Sequence, residues 1–284
     1  MTIYLNGAFM PIEEARISVL DRGFIFGDGV YEVIPVYSRK PFRLQEHLRR
    51  LQHSLDGIRL ANPHGNAEWA ELVGELVARN AGEDQYLYLH ITRGAARRDH
   101  AFPKPPVAPT VFMMSNPLPA PPAGLLAGGI ACITAPDNRW LRCDIKSIAL
   151  LPNVLLRQMA VDAGCAETVL IRDNEFMTEG AASNIFAVKN GTLLAPPKDN
   201  LMLSGITYDV ILELAAASGI PCEVRRVMKE EVFAADELLL TSSTKEVLAI
   251  TRLDGKPVGD GKPGPMFARL HALYQDFKRD VMRA

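Results

Sequence analysis

The chain has few cysteines, no long apolar run and no excess of charge of either sign. Its four cysteines, spread over 284 residues, form no Cys-x-x-Cys pair, and no histidine cluster lies beside them, so we expect no metal site. Scattered thiols of this kind suit a reducing compartment. No stretch approaches the roughly 20 apolar residues of a membrane helix, and the N-terminus lacks the pattern of a signal peptide. We therefore expect a cytoplasmic protein that does not enter a membrane.

Charge and glycine patterning exclude two further classes of protein. Lys and Arg number 31 against 33 Asp and Glu, which gives a formal net charge of -2. Because no basic block is long enough to follow a nucleic-acid backbone, we expect no nucleic-acid partner. The chain contains neither a GxxxxGK phosphate loop nor a GxGxxG dinucleotide motif.

Its length and its 48% hydrophobic content allow one large domain or two smaller ones.

Strand and helix signals alternate along the chain and are interrupted once by proline. Asn6-Gly7 predicts a hairpin between two short strands, and the leucines at 44, 48, 51 and 55 predict an amphipathic helix. We predict an α/β (α+β) protein with a small N-terminal domain at 1–117, a proline-rich linker at 118–124 and a larger domain at 125–284. One continuous domain with a proline-rich surface loop is the alternative.

Lys146 is the residue that points most directly to chemistry. It lies between Ile145 and Ile148, ahead of an apolar stretch, in a segment that reads as a strand followed by a turn. An amine withdrawn from water holds its charge less well, and a neutral amine attacks a carbonyl to form a Schiff base. A lysine whose stem packs while its head reaches solvent is the alternative. If Lys146 does form a Schiff base, the cofactor that fits best is pyridoxal 5′-phosphate.

Such a cofactor needs an acid for its pyridine nitrogen and donors for its phosphate. Glu179 offers the acid, at a turn of small residues before a predicted strand. The run Ser204–Thr207 opens a predicted helix, where free N–H groups favour an anion. Ser243 lies in a second hydroxyl-rich turn, and Arg50 on a predicted helix offers a cation. A solvated glutamate, an ordinary helix cap and a solubilising arginine are the alternatives.

Three further side chains are suited to binding a carboxylate. Tyr31 follows a glycine-rich segment, and Arg98 and His100 are two residues apart, so both project to one side if their segment is extended. Guanidinium, imidazolium and phenol groups all donate hydrogen bonds to an oxyanion. A solvated basic loop is the alternative interpretation.

Four motifs, in their order and spacing, resemble those of the class IV (fold-type IV) pyridoxal-phosphate aminotransferases. They are DRGFIFGDGVYEV, RWLRCDIKS, TEGAASNIF and SGIT. The resemblance covers nearly the whole chain, and FGDGVYEV, TRG and Arg98-x-His100 are most similar to bacterial D-amino acid aminotransferases. It implies two α/β domains with the cofactor in the cleft between them, and a homodimer in which a neighbour's loop helps to close the site.

The resemblance also implies a role for each matching position. Lys146 would bind the cofactor covalently and then carry the α-proton, and Glu179 would pair with the pyridine nitrogen. The positions that match the phosphate site are Arg50, Ile206, Thr207 and Ser243. Leu203 would contact the ring, while Tyr31, Arg98 and His100 would bind the substrate α-carboxylate. The implied reaction moves an amino group from a D-amino acid, such as D-alanine, to 2-oxoglutarate, giving a 2-oxo acid and D-glutamate.

Four other interpretations remain open at this point. Three are enzymes of the same fold: a branched-chain L-amino acid aminotransferase, an (R)-amine transaminase and an aminodeoxychorismate lyase, the last of which shares the GDG turn and the lysine. A binding or scaffold module without catalysis is the fourth. The pair Arg98 and His100 favours the D-amino acid enzyme, because it is suited to small substrates with a free carboxylate.

Overall fold

A computed structural model describes residues 1–284 and divides the chain into two compact units. The first unit comprises Met1–Pro119, Ile145–Leu150 and Arg283; the second comprises Ala120–Asp144, Leu151–Met282 and Ala284. The change at Pro119 falls inside the stretch predicted as a linker.

The division differs from the predicted one because residues 145–150 belong to the first unit. Main-chain hydrogen bonds hold this segment there: Tyr31 N–H donates to Lys146 O at 3.0 Å, and Ile148 N–H donates to Gly29 O at 3.1 Å. Domain boundaries predicted from the sequence divide the chain into consecutive stretches, so they cannot show that residues 145–150 go back to the first unit. The predicted strand before Lys146 is also wrong, since this segment contains turns and a single isolated bridge between Ser147 and Val30.

The first unit is an antiparallel sheet with helices packed on it. Its strands are β1 (Thr2–Leu5), β2 (Ala8–Pro11), β3 (Gly29–Tyr37), β4 (Lys40–Pro41), β5 (Gln85–Thr92) and β6 (Thr110–Pro117), in the order β2-β1-β6-β5-β3-β4. Its helices are α1 (Arg22–Phe26), α2 (Leu44–Gly57) and α3 (Asn66–Arg79). The predicted hairpin at Asn6-Gly7 is confirmed, because β1 pairs with β2 around it.

The core of the first unit explains why α2 forms. Leu48, Leu51 and Leu55 recur at helical spacing and are all buried, against buried residues of α3 such as Trp69 and Val73. Each leucine removed from water contributes about 1.5–3 kcal/mol. The same helix carries His47 and Arg50, so packing of its apolar stripe also fixes the positions of these two polar residues.

The second unit is built on a larger mixed sheet. Its strands are β7 (Ile130–Pro136), β8 (Glu167–Arg172), β9 (Phe176–Gly180), β10 (Asn184–Lys189), β11 (Thr192–Ala195), β12 (Cys222–Val224), β13 (Val227–Met228), β14 (Glu237–Ser242), β15 (Glu246–Leu253) and β16 (Lys256–Pro257). Its helices are α4 (Ala123–Gly128), α5 (Leu151–Asp162), α6 (Ile206–Ala217), α7 (Lys229–Phe233) and α8 (Pro265–Phe277).

The order of this sheet places its functional candidates on neighbouring strands. The strands lie in the order β12-β11-β10-β14-β15-β7-β8-β9-β13, with β16 paired to β15. The strands β8, β9 and β10 are buried at almost every residue, which is the pattern of strands covered on both faces. None of the helices combines the length and the apolar character needed to cross a membrane.

Candidate active site

Lys146 lies beside an aromatic ring in the first unit. Its Nζ is 4.2 Å from the centroid of the Tyr31 ring, and its main-chain N–H donates to Ser54 Oγ at 3.0 Å. The residue is partly buried, so the expectation of full withdrawal from water is not met in the isolated chain. Because Tyr31 and Ser54 fix the backbone and one flank of the side chain, the amine is held in place while one side of it stays accessible.

A buried ion pair lies next to this lysine and was not predicted from the sequence. Glu32, on β3, is fully buried and accepts from Arg50 Nε at 2.8 Å and from Arg50 Nη2 at 2.7 Å. His47 Nδ1 lies 2.8 Å from Glu32 Oε2. Burial by itself raises the pKa of Glu32, but Arg50 and His47 outweigh it and lower that pKa well below its usual range.

This ion pair bears on the predicted role of Arg50. Two of the Arg50 guanidinium nitrogens donate hydrogen bonds to Glu32, and the Arg50 side chain is mostly buried. The pair therefore fixes the guanidinium as a planar group in one orientation, as bidentate arginine contacts do. An arginine fixed in this way loses little further side-chain entropy when it binds another group.

Arg98 and His100 lie against the same aromatic ring, that of Phe26, whereas Tyr31 contacts a different ring. Both side chains are exposed and lie on an irregular loop, so the condition of an extended segment is not met. The Arg98 guanidinium is 5.4 Å from the Phe26 ring centroid, and the His100 ring is 5.3 Å from the same ring. Tyr31 instead contacts the Tyr88 ring at 5.7 Å.

Glu179 is the centre of a buried polar network in the second unit. It is 5% exposed and accepts from Arg139 Nη1 at 2.6 Å. Asp137 holds Arg139 through Nε and Nη2, both at 2.9 Å, and Thr178 Oγ1 donates to Asp137 at 2.7 Å. Burial raises the pKa of Glu179 to about 7, although the Arg139 guanidinium acts to lower it. The predicted acid is thus a buried carboxyl group and not a solvated turn residue.

Glu179 is also bonded to the loop that precedes α6. Leu203 N–H lies 3.3 Å from both carboxyl oxygens of Glu179. Asn184 Nδ2 donates to Leu203 O at 2.9 Å and lies 3.3 Å from Glu179 Oε2. The structure therefore brings together Glu179 and Leu203, two of the residues predicted from the sequence, through an asparagine that sequence reasoning missed.

The next residues form the start of α6, as the sequence predicts. Gly205 is the N-cap, and no side chain caps the helix, so the first N–H groups, including those of Ile206 and Thr207, have no partner within the helix. A Cβ atom at Gly205 would lie 2.0 Å from Asn184 Oδ1. Only glycine therefore fits between the helix start and the Asn184 side chain.

Ser243 lies in the turn between β14 and β15 and is partly buried. Two residues earlier, Thr241 lies on β14 and pairs with Asn184 on β10. The buried Thr241 Oγ1 has no hydrogen-bond partner. The hydroxyl-rich turn therefore follows a strand that is adjacent to the one carrying Asn184.

The missed residues had only weak signals in the sequence. Arg139 and Asn184 stand inside the quoted motifs RWLRCDIKS and TEGAASNIF, so the motifs could have pointed to them. Glu32 likewise stands inside the motif DRGFIFGDGVYEV, although its partners His47 and Arg50 become apparent only when strand and helix pack. Asp137 lies outside all four motifs and had no such signal.

Sequence comparisons with known proteins point to one family. The sequence model of the family described as amino-transferase class IV matches residues 29–253. A D-alanine aminotransferase of Staphylococcus epidermidis is 38% identical over 275 residues, which covers 97% of each protein. A D-alanine aminotransferase of Staphylococcus aureus strain MSSA476 is 40% identical over 281 residues, again covering 97% of each.

Two solved structures that superpose on this chain are aminotransferases named for branched-chain amino acids and not for D-alanine. A T.th. branched-chain amino acid aminotransferase, with pyridoxamine 5′-phosphate, superposes with a TM-score of 0.91 and 29% identity, covering 100% of this chain and 95% of that one. The Escherichia coli branched-chain amino acid aminotransferase gives a TM-score of 0.90 and 27% identity, covering 97% and 93%.

Proposed function

Because the chain belongs to the class IV aminotransferase family, we propose that it is a pyridoxal-phosphate-dependent D-amino acid aminotransferase. It transfers the amino group between a D-amino acid such as D-alanine and 2-oxoglutarate, giving pyruvate or another 2-oxo acid and D-glutamate. The observation that carries the proposal is the match, at 38–40% identity over 97% of the chain, to D-alanine aminotransferases.

The residues present fit pyridoxal phosphate. Lys146 offers a positioned amine, Glu179 a buried carboxyl group for a pyridine nitrogen, and Gly205 a helix start that a Cβ atom would fill. When bound, the cofactor supplies an aldehyde that takes up the amino group and a ring that accepts an electron pair. Ile206 and Thr207 would hold its phosphate through main-chain N–H groups, with Arg50 and Ser243 as further donors and Leu203 as an apolar contact.

Lys146 has two tasks in this proposal. It would hold the cofactor through Nζ, and its amine would carry the proton at the substrate α-carbon. A positioned amine that transfers a proton contributes typically ~10²–10⁴-fold to a rate. Glu179, oriented by Arg139 and Asn184, would pair with the pyridine nitrogen, and its carboxylate would favour the protonated form of that nitrogen.

Substrate orientation depends on where the α-carboxylate binds. Tyr31, Arg98 and His100 would bind it, since each donates hydrogen bonds to an oxyanion. The nearest alternative is the branched-chain L-amino acid aminotransferase, which the superposed structures represent. Their identity of 27–29% is lower than the 38–40% of the D-alanine aminotransferases, and Arg98-x-His100 favours the D-specific reaction.

One substrate panel tests the proposal. Purified enzyme with pyridoxal phosphate is given D-alanine, L-alanine, L-leucine or an amine without a carboxylate, each with 2-oxoglutarate, and the carbonyl product is measured. We expect pyruvate from D-alanine alone, and parallel lines in double-reciprocal plots because two substrates use one site in turn. Turnover of L-leucine or of the simple amine in place of D-alanine would contradict the proposal, as would intersecting lines.

We also propose that the enzyme is a cytoplasmic homodimer. The cysteines are all free, as in reducing compartments. Exposed apolar side chains stand on α5, namely Leu151, Val154, Leu155 and Met159, and at Val19 and Phe24 of the first unit. Apolar surface of this kind commonly marks a protein interface, and a second copy of the chain is the partner that the family suggests.

A further inference from the structure

Arg22, on the short helix α1, donates to the loop that carries Arg98 and His100. Its Nη1 donates to Asp99 O at 2.6 Å and to Ala101 O at 3.3 Å, and its Nη2 donates to His100 O at 3.4 Å. The Arg22 side chain is nearly buried, at 3% exposure for the residue. One guanidinium thus serves three successive carbonyl groups of this loop.

The charge of Arg22 is compensated beside the loop. Asp28 Oδ2 accepts from Arg22 Nε at 2.7 Å and from Arg93 Nε at 2.8 Å. Burial by itself raises the pKa of Asp28, but the two arginines outweigh it and hold that pKa below its usual range. The guanidinium is therefore fixed on one side by an ionised carboxylate and is pre-organised to donate on the other.

The main chain joins α1 to the same loop. Arg22 N–H donates to Gly94 O at 2.9 Å, and Asp21 forms an isolated bridge with Ala95. The Phe26 ring, one turn along α1, contacts the Arg98 guanidinium and the His100 ring. Between residues 96 and 109 the chain forms no helix or strand, so its conformation depends on contacts of this kind.

We propose that Arg22 is a positioning residue for the carboxylate-binding side chains Arg98 and His100. It acts through the carbonyl groups of residues 99–101 and touches no substrate. The inference rests on the proposed function, in which Arg98 and His100 bind the substrate α-carboxylate. A loop without its own secondary structure gains conformational entropy when its bonds are lost, and a displacement of about 1 Å in a binding group can weaken a reaction up to ~100-fold.

The test compares three variants of the holoenzyme. Arg22→Met removes every donor, and Arg22→Lys keeps the charge opposite Asp28 but cannot serve three carbonyl groups at once. Arg39→Met is the matched control, because Arg39 also donates to several main-chain carbonyl groups, those of Val77, Ala78, Asn80 and Gly82, in a segment without carboxylate-binding residues.

Two measurements are made on each variant: steady-state kinetics with D-alanine and hydrogen exchange of the amides at 97–101. We expect Arg22→Met to raise KM for D-alanine about tenfold or more with kcat changed by less than about threefold, and to speed exchange of those amides. Arg22→Lys should fall between Arg22→Met and the unmodified enzyme, and Arg39→Met should leave KM and the exchange at 97–101 unchanged. In an Arg98→Met background, Arg22→Met should add little to KM, because both changes affect one set of contacts.

Each outcome decides the inference. Unchanged KM and exchange in both Arg22 variants would overturn it, and so would faster exchange with an unchanged KM. If Arg22→Met does not fold, Arg22→Lys decides alone by the same two measurements. If the unmodified enzyme does not turn over D-alanine, the proposed function is refuted, and this inference with it. If the unmodified enzyme is active and only the Arg22 variants behave differently from expectation, the inference fails while the proposed function stands.

Discussion

The carboxyl group of Glu179 is held by neighbours that act against its burial. Burial raises its pKa to about 7, while Arg139, Asn184 and Leu203 N–H all favour the ionised form. A cationic ring nitrogen would favour the ionised form further. We therefore expect the ionised form of Glu179 to be stabilised most strongly when a cation lies beside it.

Replacing this carboxylate tests its role. Glu179→Gln keeps the size of the side chain and removes the charge, so we expect kcat with D-alanine to fall about a hundredfold or more, in the range for loss of one pre-organised electrostatic contact. Glu175→Gln, at an exposed turn before the same strand, is the control and should retain full activity. A Glu179→Gln enzyme with kcat within about twofold of the unmodified enzyme would remove Glu179 from the proposed site.

Glu32 gives a prediction about stability and pH. Arg50 and His47 lower its pKa in the folded state below the unfolded value of about 4.3. The folded state therefore binds fewer protons than the unfolded state in acid, and the contribution of Glu32 is present above about pH 4.3 and is lost as the pH falls.

Urea unfolding at several pH values measures this contribution. Glu32→Gln should lower the free energy of unfolding by about 3 kcal/mol at pH 7, the typical loss when one partner of a buried ion pair is removed. The difference from the unmodified protein should stay nearly constant from pH 7 down to about pH 5 and should shrink as the pH is lowered below about 4.3. Glu46→Gln, whose partner Arg49 is exposed on the same helix, should change stability by less than about 1 kcal/mol. A difference for Glu32→Gln that is constant with pH would contradict the assignment.

Among the elements, the start of α6 depends most directly on one residue. Gly205 has an ordinary extended backbone, so the need for glycine comes from the space beside Asn184 and not from its dihedral angles. Since Asn184 also bonds Leu203 and Glu179, a shift of Asn184 would reach both ends of the proposed cofactor site.

Adding one methyl group tests this packing. Gly205→Ala places a Cβ atom 2.0 Å from Asn184 Oδ1, and such overpacking typically costs about 1–3 kcal/mol. We expect a Kd for pyridoxal phosphate raised about tenfold, measured by equilibrium dialysis. Gly74→Ala is the control: it has open space on α3, and should leave Kd unchanged while raising stability by about 0.5–1 kcal/mol. Equal Kd values for the two variants would show that α6 does not hold the phosphate.

Prediction from the sequence succeeded where one element determines the outcome. The hairpin at Asn6-Gly7 and the leucine-patterned helix α2 are confirmed, because turn chemistry and helical periodicity are local. The strand predicted before Lys146 is wrong, since its apolar residues pack against β3 from a turn and form no ladder of their own.

The candidate site divides in the same way. Lys146, Glu179 and the residues at the start of α6 could be named from motifs, because their residue types and neighbours are distinctive. The Arg139–Glu179 ion pair joins residues forty positions apart, and the contacts of Arg22 with residues 99–101 span an even longer stretch of sequence. Both depend on how strands and loops pack, which no local pattern records.

At the scale of the whole molecule, the class IV fold predicted from the motifs is confirmed by the family match and by superposition on solved aminotransferases. The exposed apolar face of α5 offers a direct way to test the proposed association of two copies.

A charge placed on that face should weaken the dimer. Val154 is 59% exposed on α5, and we expect Val154→Asp to convert the protein towards the monomer, because a buried interface disfavours an unpaired charge. Val224→Asp, at a valine that is 53% exposed on the edge strand β12, should leave the mass unchanged. Sedimentation equilibrium measures both; a monomeric unmodified protein, or two variants that behave alike, would contradict the proposal.

The covalent attachment of the cofactor at Lys146 is the claim on which the proposed mechanism depends most. Holoenzyme is reduced with borohydride, digested and analysed by mass spectrometry, with Lys146→Ala treated in the same way. We predict a phosphopyridoxyl group on the peptide containing Lys146 and none on the variant. A reduced adduct on another lysine, or an unmodified Lys146 in a protein that still turns over D-alanine, would contradict the account.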